Sequence, residues 1–126
     1  MNINKLIMVF ILTVFSSNLL AYGSSSSSKK ACTKPKFTQF TPPHLAVVAV
    51  QSEFSFQASM LTNPDTIKVS VKKIPVEVTI NKENNAYSVS GKLPESLTGT
   101  YARIKIDANG TNNCKGSDGW LLNIEG

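Results

Sequence analysis

The chain has 126 residues and a formal net charge of +5, and 41% of its residues are hydrophobic against 17% charged. This balance is too apolar for a disordered chain and too polar for an integral membrane protein. Two cysteines and one histidine exclude a disulfide-dense miniprotein, a four-cysteine zinc site and most histidine-based metal or triad chemistry.

Residues 1–23 have the order of a secretory signal peptide. Lys5 supplies the positive charge, residues 6–15 form an apolar run, and small residues precede the predicted cleavage site before Ser24. Cleavage before Tyr22 is the alternative, and a retained N-terminal anchor is the other interpretation of the segment. The run is shorter than the about 20 residues that a membrane-spanning helix needs. We therefore expect a secreted or periplasmic protein with no membrane span after processing.

Processing leaves about 100 residues, which is enough for one domain. Loss of Lys5 leaves twelve basic and eight acidic residues, a net charge of +4 that permits weak attraction to anionic surfaces or polymers. The mature chain opens with five serines and two lysines, and this composition predicts a flexible tether over residues 24–31. The domain is then expected at residues 32–126.

Cys32 and Cys114 are the only cysteines, so an oxidising compartment allows one intramolecular disulfide. The loop that it closes holds about 80 residues, for which chain entropy gives on the order of 4.5 kcal/mol of stabilisation. A redox or metal-binding thiol pair is the alternative. The wide separation of the two cysteines and the absence of a CxxC unit argue against it.

Alternation of polar and apolar residues predicts strands along most of the domain. The period is clear at residues 53–60, where Phe54, Phe56, Ala58 and Met60 share one face. The strands are expected at residues 47–50, 53–60, 66–72, 76–80, 87–89, 100–107 and 120–124. The connections are expected to be a turn at Asn63-Pro64-Asp65, a break at 73–75, a hairpin loop at 82–85 and longer loops at 91–99 and 108–119.

No segment shows a helical period. About seven short strands with regular spacing predict an all-β, immunoglobulin-like antiparallel β-sandwich. Its core is expected to contain Phe54, Phe56, Ile67, Val69, Val71, Val78, Ile80, Val89, Ile104, Ile106, Trp120 and Leu122.

The chain resembles small exported bacterial proteins with an immunoglobulin-like or fibronectin-III-like sandwich, over about residues 34–125. The resemblance rests on strand order and on residues 93–101, which look like the link into strand F with its tyrosine corner. In this chain the apolar face after Tyr101 holds Ala102 and Ile104, whereas Arg103 stands where the families have an inward residue. Tyr101 therefore either faces outward or precedes a bulge.

The cysteines also depart from the antibody pattern, because Cys32 precedes the first strand and Cys114 lies in the predicted F–G loop. The resemblance implies a fold and no particular activity.

Motifs for chemistry are weak. His44 has no second histidine and no carboxylate near it in sequence, so we expect it to face solvent or pack in a loop. Asp107, Asp118 and residues 109–113 lack the spacing of a calcium loop. Asn109-Gly110-Thr111 fits either a glycosylation acceptor or a turn. There is no GxSxG and no placeable carboxylate pair, so we expect no enzymatic activity, no cofactor and no metal site.

One predicted surface has a more specific pattern, in which cations and an aromatic residue lie together. In an immunoglobulin-like topology strands C and F are neighbours, and the alternation places charged side chains of both on the outside. The candidate binding residues are Lys68, Lys72, Tyr101, Arg103 and Lys105. A mixture of cations and an aromatic suits an anionic polymer or sugar. The alternative is a solvated face whose charges suppress edge association.

Two functions from different classes follow. The first is an exported, non-enzymatic binding or accessory module of the cell envelope, a monomer whose partner is an anionic envelope polymer or another envelope protein, with no specific nucleic acid. The second is a structural or assembly component of an envelope complex or surface appendage. A pilus subunit filled by a donor strand lacks its final strand, whereas residues 120–124 supply one here.

Overall fold

The computed structural model describes residues 31–126, in which nine strands follow the alternation of the sequence. They are β1 Phe37–Thr41, β2 Val47–Val48, β3 Glu53–Ser59, β4 Asn63–Val71, β5 Ile74–Val76, β6 Thr79–Lys82, β7 Ala86–Lys92, β8 Thr100–Asn109 and β9 Lys115–Ile124. The described part contains no α-helix and so no helix that could cross a membrane. The predicted signal peptide and all but the last residue of the predicted tether lie outside the described residues.

Two sheets enclose the core. One has the strand order β1-β3-β7-β6 and the other the order β2-β9-β8-β4-β5. All pairs are antiparallel except β2 with β9, which are parallel. The all-β sandwich predicted from the sequence is confirmed, with nine strands rather than about seven.

The predicted core residues lie between the sheets. Val78 and Ile80 are half-buried at its rim, and the other ten are buried. Trp120 lies at the centre of the aromatic packing, with ring centroids 4.8 Å from Phe40, 6.1 Å from Phe54 and 6.2 Å from Phe56. Its indole Nε1 donates to the carbonyl of Pro42 at 2.8 Å, so burial leaves this polar group partnered.

The predicted disulfide is present. Cys32 and Cys114 have Cα atoms 5.4 Å apart, a separation typical of a disulfide. Beside it, the N–H of Thr33 donates to Thr111 Oγ1 at 2.8 Å, and the N–H of Thr111 donates to the carbonyl of Thr33 at 3.1 Å. The segment before β1 is thus fixed to the turn between β8 and β9.

Several element boundaries were predicted wrongly, and the connection expected at 91–99 begins only after β7 ends at Lys92. Residues 108–119 are not a loop, because β9 begins at Lys115 and pairs with β8 from Asn109 onward. This end of the hairpin pairs with β8 through glycines and polar residues, so no apolar alternation marks it. Gly119 is needed there, because a Cβ at this position would collide with the carbonyl of Ile104.

Further corrections concern β4 and its neighbours. Residues 63–65 are part of β4, whose register with β8 is irregular between Asn63 and Lys68. The predicted break at 73–75 is wrong beyond Lys73, because Ile74 and Pro75 pair with β4 as part of β5. Residues 76–80 are not one strand, because β5 joins one sheet and β6 the other. The alternation continues across this switch because both sheets bury the same core. Met60 is 38% exposed rather than buried, because β3 ends at Ser59 and the chain turns.

Candidate functional site

Strand β8 presents its odd-numbered residues to the outside of the five-stranded sheet. Its pairing with β9 runs without a shift from Thr100 opposite Ile124 to Asn109 opposite Lys115. There is no bulge near Tyr101, which is 58% exposed. Tyr101 therefore faces outward, and the chain has no inward tyrosine corner at this position.

Strands β4 and β8 are neighbours, as expected for strands C and F. Lys68 lies opposite Asp107 and Ser70 lies opposite Lys105. Lys72 follows the end of β4, and its N–H donates to the carbonyl of Arg103 at 3.0 Å. The topology thus places cations from two strands on one exposed surface.

The cations converge on a shallow depression of about 540 Å³ at the β4–β5 turn. Its lining residues are Ser70, Lys72, Lys73, Arg103 and Lys105. We call the four charged residues, Lys72, Lys73, Arg103 and Lys105, the cationic face. Lys73 was not predicted as a site residue, because residues 73–75 were interpreted from the sequence only as the end of a strand. The signal available was the apolar alternation that resumes at Ile74, which implies a two-residue turn before it.

That turn has an unusual backbone. Lys72 and Lys73 have φ values of 47° and 70°, and two consecutive positive φ values characterise the two-residue hairpin turn that favours Asn-Gly. A left-handed conformation is unfavourable for a non-glycine residue by about 1–2 kcal/mol. Backbone strain of this kind is concentrated at functional sites in proteins. Two lysines therefore occupy a turn that other residues would form with less strain.

The cationic face is weakly compensated by acids. Among residues 31–126 the one ion pair joins Lys105 Nζ to Asp107 Oδ2 at 3.8 Å, and both side chains are about half-exposed. Lys72 Nζ donates to Thr100 Oγ1 at 2.9 Å, which satisfies a donor without balancing its charge. Lys73 and Arg103 have no carboxylate within ion-pair distance in the described part of the chain.

The remaining two candidate residues flank the cationic face. Lys68 lies in a neighbouring depression of about 480 Å³ whose lining also includes Asp65 and Asp107. Tyr101 precedes Arg103 by two residues on the same face of β8. The structure therefore brings three of the five predicted residues into one depression, adds Lys73 to them, and places Lys68 in the lining of the neighbouring depression.

The single histidine is an exposed residue in the turn between β1 and β2. His44 Nδ1 accepts a hydrogen bond from the N–H of Leu121 at 3.2 Å, in agreement with its expected place. Asp107 Oδ1 accepts from Ser117 Oγ at 2.6 Å. Within residues 31–126 no three His, Cys, Asp or Glu side chains form a group that could hold a metal ion.

The sequence matches no protein-family model and no curated protein. The fold is similar to those of several solved structures, among them those of CopC and PcoC. CopC from Methylosinus trichosporium OB3b is 10% identical, with a TM-score of 0.55 over 72% of this chain and 93% of that one. PcoC, a methionine-rich copper resistance protein from Escherichia coli, is 12% identical, with a TM-score of 0.51 over 74% of this chain and all of that one. At these identities the similarity establishes a shared β-sandwich fold and no specific immunoglobulin or fibronectin family.

Proposed function

We propose that this protein is an exported, non-enzymatic binding module of the cell envelope that holds an anionic partner on its cationic face. The observation that carries the proposal is the convergence of four cations, two from the β4–β5 turn and two from β8, on one depression, where a single carboxylate of the described residues is in ion-pair contact with them. Close like charges are mildly destabilising, so a bound anion would relieve their repulsion.

The strained turn supports the same site. Lys72 and Lys73 keep positive φ values where Asn-Gly would form the turn more easily. Lysines at these two positions cost stability, which is consistent with a role for their charges in binding.

Export is supported by the disulfide. A bond between Cys32 and Cys114 is typical of a protein that works in an oxidising compartment, either secreted or periplasmic. The signal peptide expected at residues 1–23 accounts for how the chain would reach it.

Copper is the ligand that the name of PcoC suggests, and the residues of this chain do not fit it. The only methionine in the described residues is Met60, the only histidine is His44, and both cysteines form a disulfide. His44 Nδ1 is already an acceptor for the N–H of Leu121. We therefore propose an anionic partner rather than a metal.

The proposal can be tested by elution from phosphocellulose, an anionic polymer. The variant Lys73→Glu/Arg103→Glu removes the two cations without ion-pair partners. The control Lys36→Glu/Lys82→Glu changes the net charge equally, at exposed positions just before β1 and at the end of β6. We expect the first variant to elute at clearly lower salt than the control. Equal elution of the two variants would show that only the net charge matters, and the proposal would be wrong.

A further inference from the structure

The outer surface of the five-stranded sheet is apolar beside the cationic face. Val47 on β2 and Tyr101 on β8 both lie next to Asn123 of β9, which pairs with each of them. Val47 is 64% exposed and Tyr101 is 58% exposed. Since residues directly opposite one another in a sheet share a face, Val47, Asn123 and Tyr101 form one row across three strands.

A second row of residues on the same outer surface runs from Leu45 through Leu121 to Arg103. The N–H of Leu45 donates to the carbonyl of Leu121 at 2.7 Å, and Leu121 lies opposite Arg103. Leu45 is 52% exposed and has a positive φ of 69°, an unfavourable conformation for a branched side chain. We call Leu45, Val47, Leu121 and Tyr101 the apolar edge. Its two rows adjoin Arg103, so apolar and cationic side chains form one continuous surface.

We infer that this continuous surface docks on an anionic lipid bilayer, with the apolar edge entering the interface and the cationic face contacting the headgroups. The inference rests on the proposed function and names the class of its anionic partner. Cations near an anionic bilayer are attracted to its negative surface potential, while protruding apolar and tyrosine side chains are stabilised at the boundary between headgroups and acyl chains.

The shape of the surface favours a bilayer over a peptide. Peptides that add to proteins gain specificity from grooves and pockets for their side chains. Leu45, Val47 and Tyr101 are each more than half-exposed, and none of them lines the depression of the cationic face, so their apolar area is open to a flat partner. A second copy of the chain would bring a second cationic face close to the first, and the repulsion between them disfavours that occupant.

The test is co-sedimentation with vesicles of phosphatidylglycerol and phosphatidylcholine in equal parts, compared with phosphatidylcholine alone. We expect the wild type to bind the anionic vesicles and not the neutral ones. The variant Val47→Ser should bind the anionic vesicles roughly tenfold more weakly, and Tyr101→Ser should also weaken binding. Met60→Ser, which removes an apolar side chain exposed between β3 and β4, should bind like the wild type.

Retention on phosphocellulose separates this inference from the proposed function. Val47→Ser and Tyr101→Ser should be retained like the wild type, because they keep every cation. If the wild type is retained but does not bind anionic vesicles, the lipid inference is wrong and the proposed function stands. If Val47→Ser and Tyr101→Ser bind vesicles as tightly as the wild type, the apolar edge does not contact lipid and the inference is also wrong. Absence of retention and of vesicle binding would overturn both.

Discussion

The backbone N–H of Lys72 donates a hydrogen bond to the backbone carbonyl of Arg103 at 3.0 Å. This bond extends the pairing of β4 with β8 one residue beyond the end of β4, into the turn. It fixes the backbones of two cationic residues that are 31 positions apart in the sequence next to each other. The placement of the cationic face therefore depends on main-chain geometry as well as on side-chain conformation.

Substitution of the two lysines in the β4–β5 turn by Asn-Gly is expected to raise stability and to weaken binding. Replacing Lys72 with Asn and Lys73 with Gly should raise the free energy of unfolding by about 1 kcal/mol or more, because Asn-Gly suits the two positive φ values. The same variant should elute from phosphocellulose at lower salt. The control Lys72→Gln/Lys73→Gln removes both charges and keeps the strain, so it should lose retention with no gain in stability. A turn variant that is no more stable than this control would contradict the account of the turn.

Within residues 31–126, Asp107 is the only acid in ion-pair contact with the cationic face, through Lys105. Asp107→Asn keeps an oxygen that can accept from Ser117 Oγ and removes the negative charge. We expect affinity for a soluble anionic polymer to rise by roughly twofold to fivefold, with little change in stability, because exposed ion pairs contribute little. Glu83→Gln, in the loop between β6 and β7, makes the same charge change elsewhere. If Glu83→Gln raises the affinity for the polymer as much as Asp107→Asn does, the effect is not local to the cationic face.

The sandwich could be predicted from the sequence because polar and apolar residues alternate along each strand, and the apolar ones are buried. Phe54 and Phe56 on β3, or Ile104 and Ile106 on β8, can be assigned to the core from their spacing alone. Alternation does not show which sheet a strand joins, which is why the end of β5 and the start of β6 were predicted as one strand. It also fails at the start of β9, where glycines and polar residues pair with β8 and no apolar residue alternates with them.

Part of the candidate site could also be predicted from the alternation of buried and exposed residues along a strand. Arg103 and Lys105 face outward because they alternate with buried residues on β8. Lys73 does not alternate with buried residues, and its place depends on a two-residue turn whose only sequence signal is the apolar alternation that resumes at Ile74. Lys68 pairs with Asp107 and lines a neighbouring depression together with Asp65 and Asp107. The periodicity of the sequence does not show that these carboxylates lie in the same depression as Lys68.

The disulfide should contribute a large share of the stability. The double variant Cys32→Ser/Cys114→Ser is expected to lower the free energy of unfolding by about 2–5 kcal/mol, because the unfolded chain regains the entropy of a long loop. Urea denaturation followed by tryptophan fluorescence measures this, since Trp120 is 2% exposed in the folded state. Reduced wild-type protein should unfold at the midpoint of the variant. A variant as stable as the oxidised wild type would contradict the prediction.

The most direct test of the central claim is to map the contact surface by nuclear magnetic resonance. Uniformly ¹⁵N-labelled protein would be titrated with short-chain inorganic polyphosphate at low salt, and the amide shifts would be followed residue by residue. The account predicts that the largest shifts fall at residues 70–73 and 101–105, around the cationic face, and that added salt reverses them. Shifts of equal size spread over both sheets, or centred on lysines away from β4 and β8, would contradict it.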